Sequence, residues 1–152
     1  MENTNNAIVL SEEITQVSDI SRIASAMNGK SVAFLTSIPD DGSRDSRIKI
    51  YNAVNKSGEK IDDHKGEVLN ITNFAAHKVE LVDENGEIIE ALRIVLIAED
   101  GTCYESVSKG VMGSLEKIFS IVGVAPWTPA LSMIPTEVKT RKGYKVLTLE
   151  LA

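Results

Sequence analysis

Lys139, Arg141, Lys142 and Lys145 crowd into seven residues of a 152-residue chain whose net charge is -6, and Tyr144 stands among them. Ammonium and guanidinium groups meet phosphate oxygens, and a phenol ring stacks on a nucleobase. Together they suit a single strand of nucleic acid, whose backbone is anionic and whose bases are unpaired. The same residues also fit a solvated hairpin tip in which lysines blunt an edge strand. If Lys142-Gly143 is a two-residue loop, Arg141 faces Tyr144, Lys139 faces Val146 and Val138 faces Leu147. Val138, Leu147, Leu149 and Leu151 then share a core face, and Lys139, Arg141, Tyr144 and Val146 share the outer one.

Two more groupings repeat the pattern. A hairpin turning at Asp100-Gly101 sets Arg93 and Tyr104 on one face with Val95 and Ile97, opposite Leu92, Ile94, Leu96, Ala98 and Cys103. Both faces are apolar enough to be core, so a one-residue slip would exchange them. Read as a strand, RIKIYNAVN places Arg47, Lys49 and Tyr51 side by side. All three tyrosines thus sit beside cations. Of the other aromatics, Phe34 and Phe119 lie in apolar surroundings and read as core, Trp127 as a cover for one end of the fold, and Phe74 as either core or contact.

Catalytic chemistry finds no footing. His64 and His77 lack HExxH-type spacing, Asp40-Asp41 and Asp62-Asp63 are turn acids, and no Gly-rich stretch matches a phosphate or dinucleotide loop. Cys103, the single cysteine, reads as a packing residue. The expectation is a protein that is not an enzyme, with no metal, no cofactor and no small-molecule substrate.

The elements that must position these residues are mostly strands. Residues 1 to 30 are polar and Asn-rich at first, then carry Ile14, Val17, Ile20 and Ile23 at steps of three; they predict a mobile or docking arm through which protomers could associate. Residues 31 to 152 predict one domain. SVAFLTSI and RIKIYNAVN, separated by PDDGSRDS, read as an N-terminal hairpin. Strands follow over 67 to 83, bent near Ala75-Ala76, then 87 to 100 and 102 to 108. In SKGVMGSLEKIFSIVG the period turns helical, with Ser108 as N-cap and Gly123 as stop. Two more strands close the chain. Five strands with a helix between the third and fourth is the order of the OB-fold, a mainly β Greek-key barrel that often binds oligonucleotides.

The charge is uneven. Residues 1 to 100 hold 10 Lys and Arg against 18 Asp and Glu, whereas residues 101 to 152 hold 6 against 4, so the basic end is C-terminal. No apolar run is long enough to cross a membrane. The lone cysteine and the absence of a secretory pattern in MENTNNAIVLSEE predict a cytoplasmic protein.

NITNFAAHKVELVDENGEIIEALRIVLIAEDGTCYESVSKGVMGSLEKIFSIVG, followed by VKTRKGYKVLTLEL, resembles a family of small single-stranded DNA-binding proteins from phages and conjugative plasmids of Gram-positive bacteria. The resemblance spans about residues 45 to 151. It implies an OB-fold that binds single-stranded DNA without sequence choice, in replication or transfer of a mobile element inside a bacterial host cell. The competing expectation is a protein-interaction module of a replication or conjugation complex that does not touch nucleic acid.

Overall fold

A computed structural model of the chain describes residues 34–152. The expected arm over 1 to 30 lies outside the described residues. The elements are β1 (Phe34–Thr36), α1 (Arg44–Asn55), β2 (Glu59–Lys60), a 3-10 turn (Ile61–His64), β3 (Leu69–Val82), β4 (Ile88–Ala98), β5 (Cys103–Ser106), α2 (Lys109–Ile121), β6 (Leu131–Lys139) and β7 (Lys145–Leu151). The fold is mainly β and OB-like: β3, β4, β5, α2, β6 and β7 follow the expected order. Their ladders run β5-β4-β3-β6-β7, with β1 added to β3 and β2 to β5. The sheet curls around Ile61, Ile71, Ile94, Leu96, Val111 and Met133, all at most 2% exposed.

The expected OB-type barrel is present as a half-barrel, open on one side. Closure requires β5 to pair with β7, but the free edge of β5 is taken by β2, which runs parallel to it through Glu59↔Tyr104 and Lys60↔Glu105. The edge of β7 meets α2 instead. Ser114 Oγ accepts the Leu149 N–H at 3.1 Å. A Cβ on Gly110 would lie 2.1 Å from the Leu147 carbonyl oxygen, so only glycine permits this approach.

The expected N-terminal hairpin is corrected, because RIKIYNAVN is helical. Ser43 caps α1 by accepting the Ser46 N–H, and Asp45 sits in the first turn where the helix dipole favours an acid. Ile50 and Ala53 bury against the outer face of the sheet, where Ala75 and Val95 are fully buried. The spacing of Ile48, Ile50 and Val54 satisfies a strand, but that of Ile50, Ala53 and Val54 satisfies a helix. The cap and the waiting apolar sheet decide for the helix. Strand β3 bends by a bulge between Ile71 and Asn73, three residues earlier than the Ala75-Ala76 pair. There the Thr72 carbonyl accepts the Trp127 N–H at 2.8 Å.

Candidate nucleic-acid interface

The three long hairpins share one loop design, and it shifts the faces predicted from two-residue loops. The glycines at 86, 101 and 143 have φ of 81°, 90° and 85°. Each donates its N–H to the carbonyl three residues back, at Asp83, Ala98 and Thr140. This is the three-residue hairpin with a left-handed glycine in third place. Adding one residue to a loop moves the partner strand by one position, which turns its side chains to the opposite face.

At the C-terminal hairpin the pairs are Lys139↔Lys145, Val138↔Val146 and Glu137↔Leu147. Lys139 therefore shares a face with Lys145 and Leu147, and Val138 shares the other with Val146, which corrects the predicted facing of Lys139 and Val146. Arg141 and Lys142 occupy the loop. Thr140 latches it: its N–H donates to the Tyr144 carbonyl at 2.8 Å and its Oγ1 accepts the Tyr144 N–H at 3.1 Å. The Tyr144 ring is left 69% exposed on the face of Val138 and Val146, opposite Lys139 and Lys145, which corrects the expectation that Lys139 and Tyr144 share a face. Lys145 Nζ stands 3.6 Å from Glu137, but the other oxygen of that carboxylate holds Lys65 at 2.6 Å. Hydrogen bonding from Lys65 keeps the Glu137 carboxyl below its ordinary range. Among the described residues, no carboxylate pairs with Lys139, Arg141 or Lys142. Two ammonium groups directly across a ladder repel each other, so this tip favours an anion between them.

The predicted grouping of Arg93 with Tyr104 is corrected. With Leu96↔Tyr104 and Val95↔Glu105 in register, Tyr104 joins the face of Ile94 and Leu96 while Arg93 lies on the other with Glu105. Tyr104 packs against the core, with its ring edge-on to His64 at 4.9 Å. His64 is bound in turn by Glu67 and Glu59, at 3.0 and 2.8 Å, and these bonds raise its pKa. Arg93, with a side chain 12% exposed, is consumed by internal partners. It pairs with Glu105 and donates to the carbonyls of Val54 and Lys56 at 3.0 and 2.8 Å, and to His77 Nε2 at 3.0 Å. Burial opposes ionisation of Glu105, but the Gly58 N–H and Arg93 outweigh it and lower its pKa.

Arg47 and Tyr51 remain neighbours for a different reason: they stand four apart on α1, hence on one helical face. Lys49, two positions from each, points away from both. Arg44 and Ile48 take its place, at spacings that a helical reading anchored on Ser43 would have revealed. Phe74, Phe119 and Trp127 form an aromatic cluster with centroids 5.0 and 5.9 Å apart, the first pair tilted and the second stacked; both phenylalanines are half-buried, and Trp127 is 7% exposed, so it covers the half-barrel as expected. Phe34, expected in the core, is 40% exposed on the short edge strand β1.

Between β5 and β7 lies an open cavity of about 440 Å³, lined by Lys60, Ser106, Glu137, Lys145 and Leu147 among others. Among the described residues no group of His, Cys, Asp or Glu could hold a metal ion. No described helix is long and apolar enough to cross a membrane. No curated protein and no solved structure matches the chain. A family model described as phage single-stranded DNA-binding protein, of the phi29 type, matches residues 28–152. With a strand-rich OB-like fold and a cationic, tyrosine-bearing hairpin behind that match, the chain belongs to the phi29-type family of phage single-stranded DNA-binding proteins.

Proposed function

We propose that the protein binds single-stranded DNA without sequence choice and without catalysis, in replication or transfer of a phage or plasmid within the host cytoplasm. The hairpin formed by β6 and β7 is its main contact. The observation that carries this reading is the tip of the hairpin, where Lys139 and Lys145 face each other on one side of the ladder and the exposed Tyr144 ring stands on the other, next to the loop cations Arg141 and Lys142 in the chain. Phosphate between the ammonium groups relieves their repulsion, Arg141 and Lys142 track the backbone, and Tyr144 stacks on a base. Arg93 and Tyr104 have no part in this contact, because their polar and aromatic surfaces are already spent inside the fold.

Fluorescence anisotropy of labelled oligo-dT at two salt concentrations tests the reading. Binding is expected to weaken as salt rises; no binding at micromolar protein in low salt ends the idea. Replacing Arg141 and Tyr144 together by alanine removes one stacking contact of about 1 to 3 kcal/mol and one phosphate contact, a loss of about tenfold or more in affinity. Unchanged affinity with a native circular dichroism spectrum would reject the site.

A protein-docking role has its own support at the opposite end of the sheet. The tip joining β3 to β4 exposes Val82 (71%) and Ile88 (68%) among Glu80, Asp83, Glu84, Glu87 and Glu90. Such a surface repels phosphate and suits a cationic protein of the same replication or transfer complex. Self-association through residues 1 to 30 also belongs to this proposal. Deleting the arm is expected to lower cooperativity along DNA, and unchanged cooperativity and sedimentation would count against it.

A further inference from the structure

We propose that the outward stripe of α1, made of Arg44, Arg47, Ile48 and Tyr51, is a second contact site for single-stranded DNA, separate from the β6–β7 hairpin. The inference rests on the binding function proposed above and adds a second point at which the same strand is held.

The stripe follows from the helix period. Positions 44, 47, 48 and 51 are spaced by three, four and seven, so their side chains share one face, opposite the buried Ile50 and Ala53. Folding requires only the buried side. Yet Tyr51 is 63% exposed and Ile48 49%, on a face that none of the buried core residues among the described residues covers. Gly42, Arg44, Arg47, Ile48 and Tyr51 line a shallow hollow of about 490 Å³. A flat ring and a branched aliphatic side chain supply its apolar lining, and two guanidinium groups its charge. That arrangement offers a base a stacking surface and its phosphates two forked donors.

One acid stands at the edge. Asp40 Oδ1 lies 3.5 Å from Arg47 Nε and accepts the Gly42 N–H at 2.9 Å and the Ser46 hydroxyl at 3.2 Å. The Gly42 hydrogen bond, with Ser46 and Arg47 adding to it, keeps the Asp40 carboxyl below its ordinary range, so it is ionised at neutral pH. It therefore competes with phosphate for Arg47. Removing its charge while keeping its shape should improve binding of a strand that reaches this site.

A strand long enough to reach both sites gains from the second contact by effective concentration, whereas a short one occupies the hairpin alone. The experiment compares oligo-dT of about 6 and about 30 nucleotides, one near the lower end of the usual span of one OB-fold, about 4 to 16 nucleotides, and one well above it. Three proteins are titrated by anisotropy: the full chain, its Arg44→Ala/Tyr51→Ala variant and its Asp40→Asn variant. The double variant should bind the short strand within about twofold of the parent and lose about tenfold for the long one. Asp40→Asn should tighten the long strand about two- to threefold. Parent-like affinity of the double variant at both lengths overturns the proposal, as does equal loss at both, which would mean one continuous site. If the parent binds neither strand, the hairpin reading has failed and this one falls with it.

Discussion

Arg93 illustrates how much of a cation's chemistry is decided by what is already within its reach. Its guanidinium ties Glu105 on β5 to the last carbonyls of α1 and to His77 on β3, so four acceptors on different elements depend on one side chain. Burial and the charge of Arg93 lower the pKa of His77, which keeps the imidazole neutral and able to accept the bond. Arg93→Ala leaves a largely enclosed carboxylate with only the Gly58 N–H to bind it, and takes the Arg93 donors from two helix-end carbonyls. The expected loss is about 2 to 4 kcal/mol, read as a lower urea midpoint. Arg93→Lys should not restore it, since a single ammonium cannot reach acceptors that a planar fork spans. An unchanged midpoint in Arg93→Ala would show that the network contributes little. Affinity for DNA, measured where the variant is still folded, is expected to stay near that of the parent, which separates this clamp from the hairpin cations.

Among the elements, α2 carries the sharpest contrast. Gly110 faces the Leu147 carbonyl and Val146, and a Cβ there would come within 2.1 and 2.6 Å of them, whereas one at Gly113 would meet nothing within 4 Å. The helix cannot retreat, because Val111 is fully buried and Ser108 caps the first turn through the N–H groups of Gly110 and Val111. Gly110→Ala is expected to cost about 2 to 3 kcal/mol or more, while Gly113→Ala gains about 0.5 to 1 kcal/mol from helix propensity alone. Thermal melts showing the same shift for both would contradict the close approach of α2 to β7. This helix and strands β3 to β7 were legible in the sequence because each follows a single period bounded by a cap or a glycine turn. Helix α1 was not, since its apolar residues satisfy both periods and only the sheet it covers chooses between them. Strand β2, two residues long, exists through its pairing with β5 and has no local signal. The candidate site was half legible. Lys139, Arg141, Lys142, Tyr144 and Lys145 could be found from composition, but their faces depended on loop length, and glycine marks a turn without counting its residues.

At the scale of the whole molecule, a chain of net charge -6 binds a polyanion only if its cations act locally. At physiological ionic strength the Debye length is about 8 Å, so the acidic β3–β4 tip is felt weakly at a hairpin on the far side of the shared ladder. The two tips do leave that ladder in opposite directions, because β3 and β6 run antiparallel through Leu69↔Met133 and Ile71↔Leu131. The number of phosphates engaged can then be read from salt dependence. Each contact to a single strand contributes about -0.7 to the slope of log K against log salt, so the four hairpin cations alone give about -3 and the addition of Arg44 and Arg47 about -4. The parent protein on a long oligonucleotide is expected near the steeper value, and Arg44→Ala/Arg47→Ala near the shallower. A parent slope near zero would mean that stacking alone holds the strand and that the cations of the hairpin are solvated turn residues. A slope beyond about -7 would mean that cations across the whole surface take part, which the acidic balance of the chain makes costly.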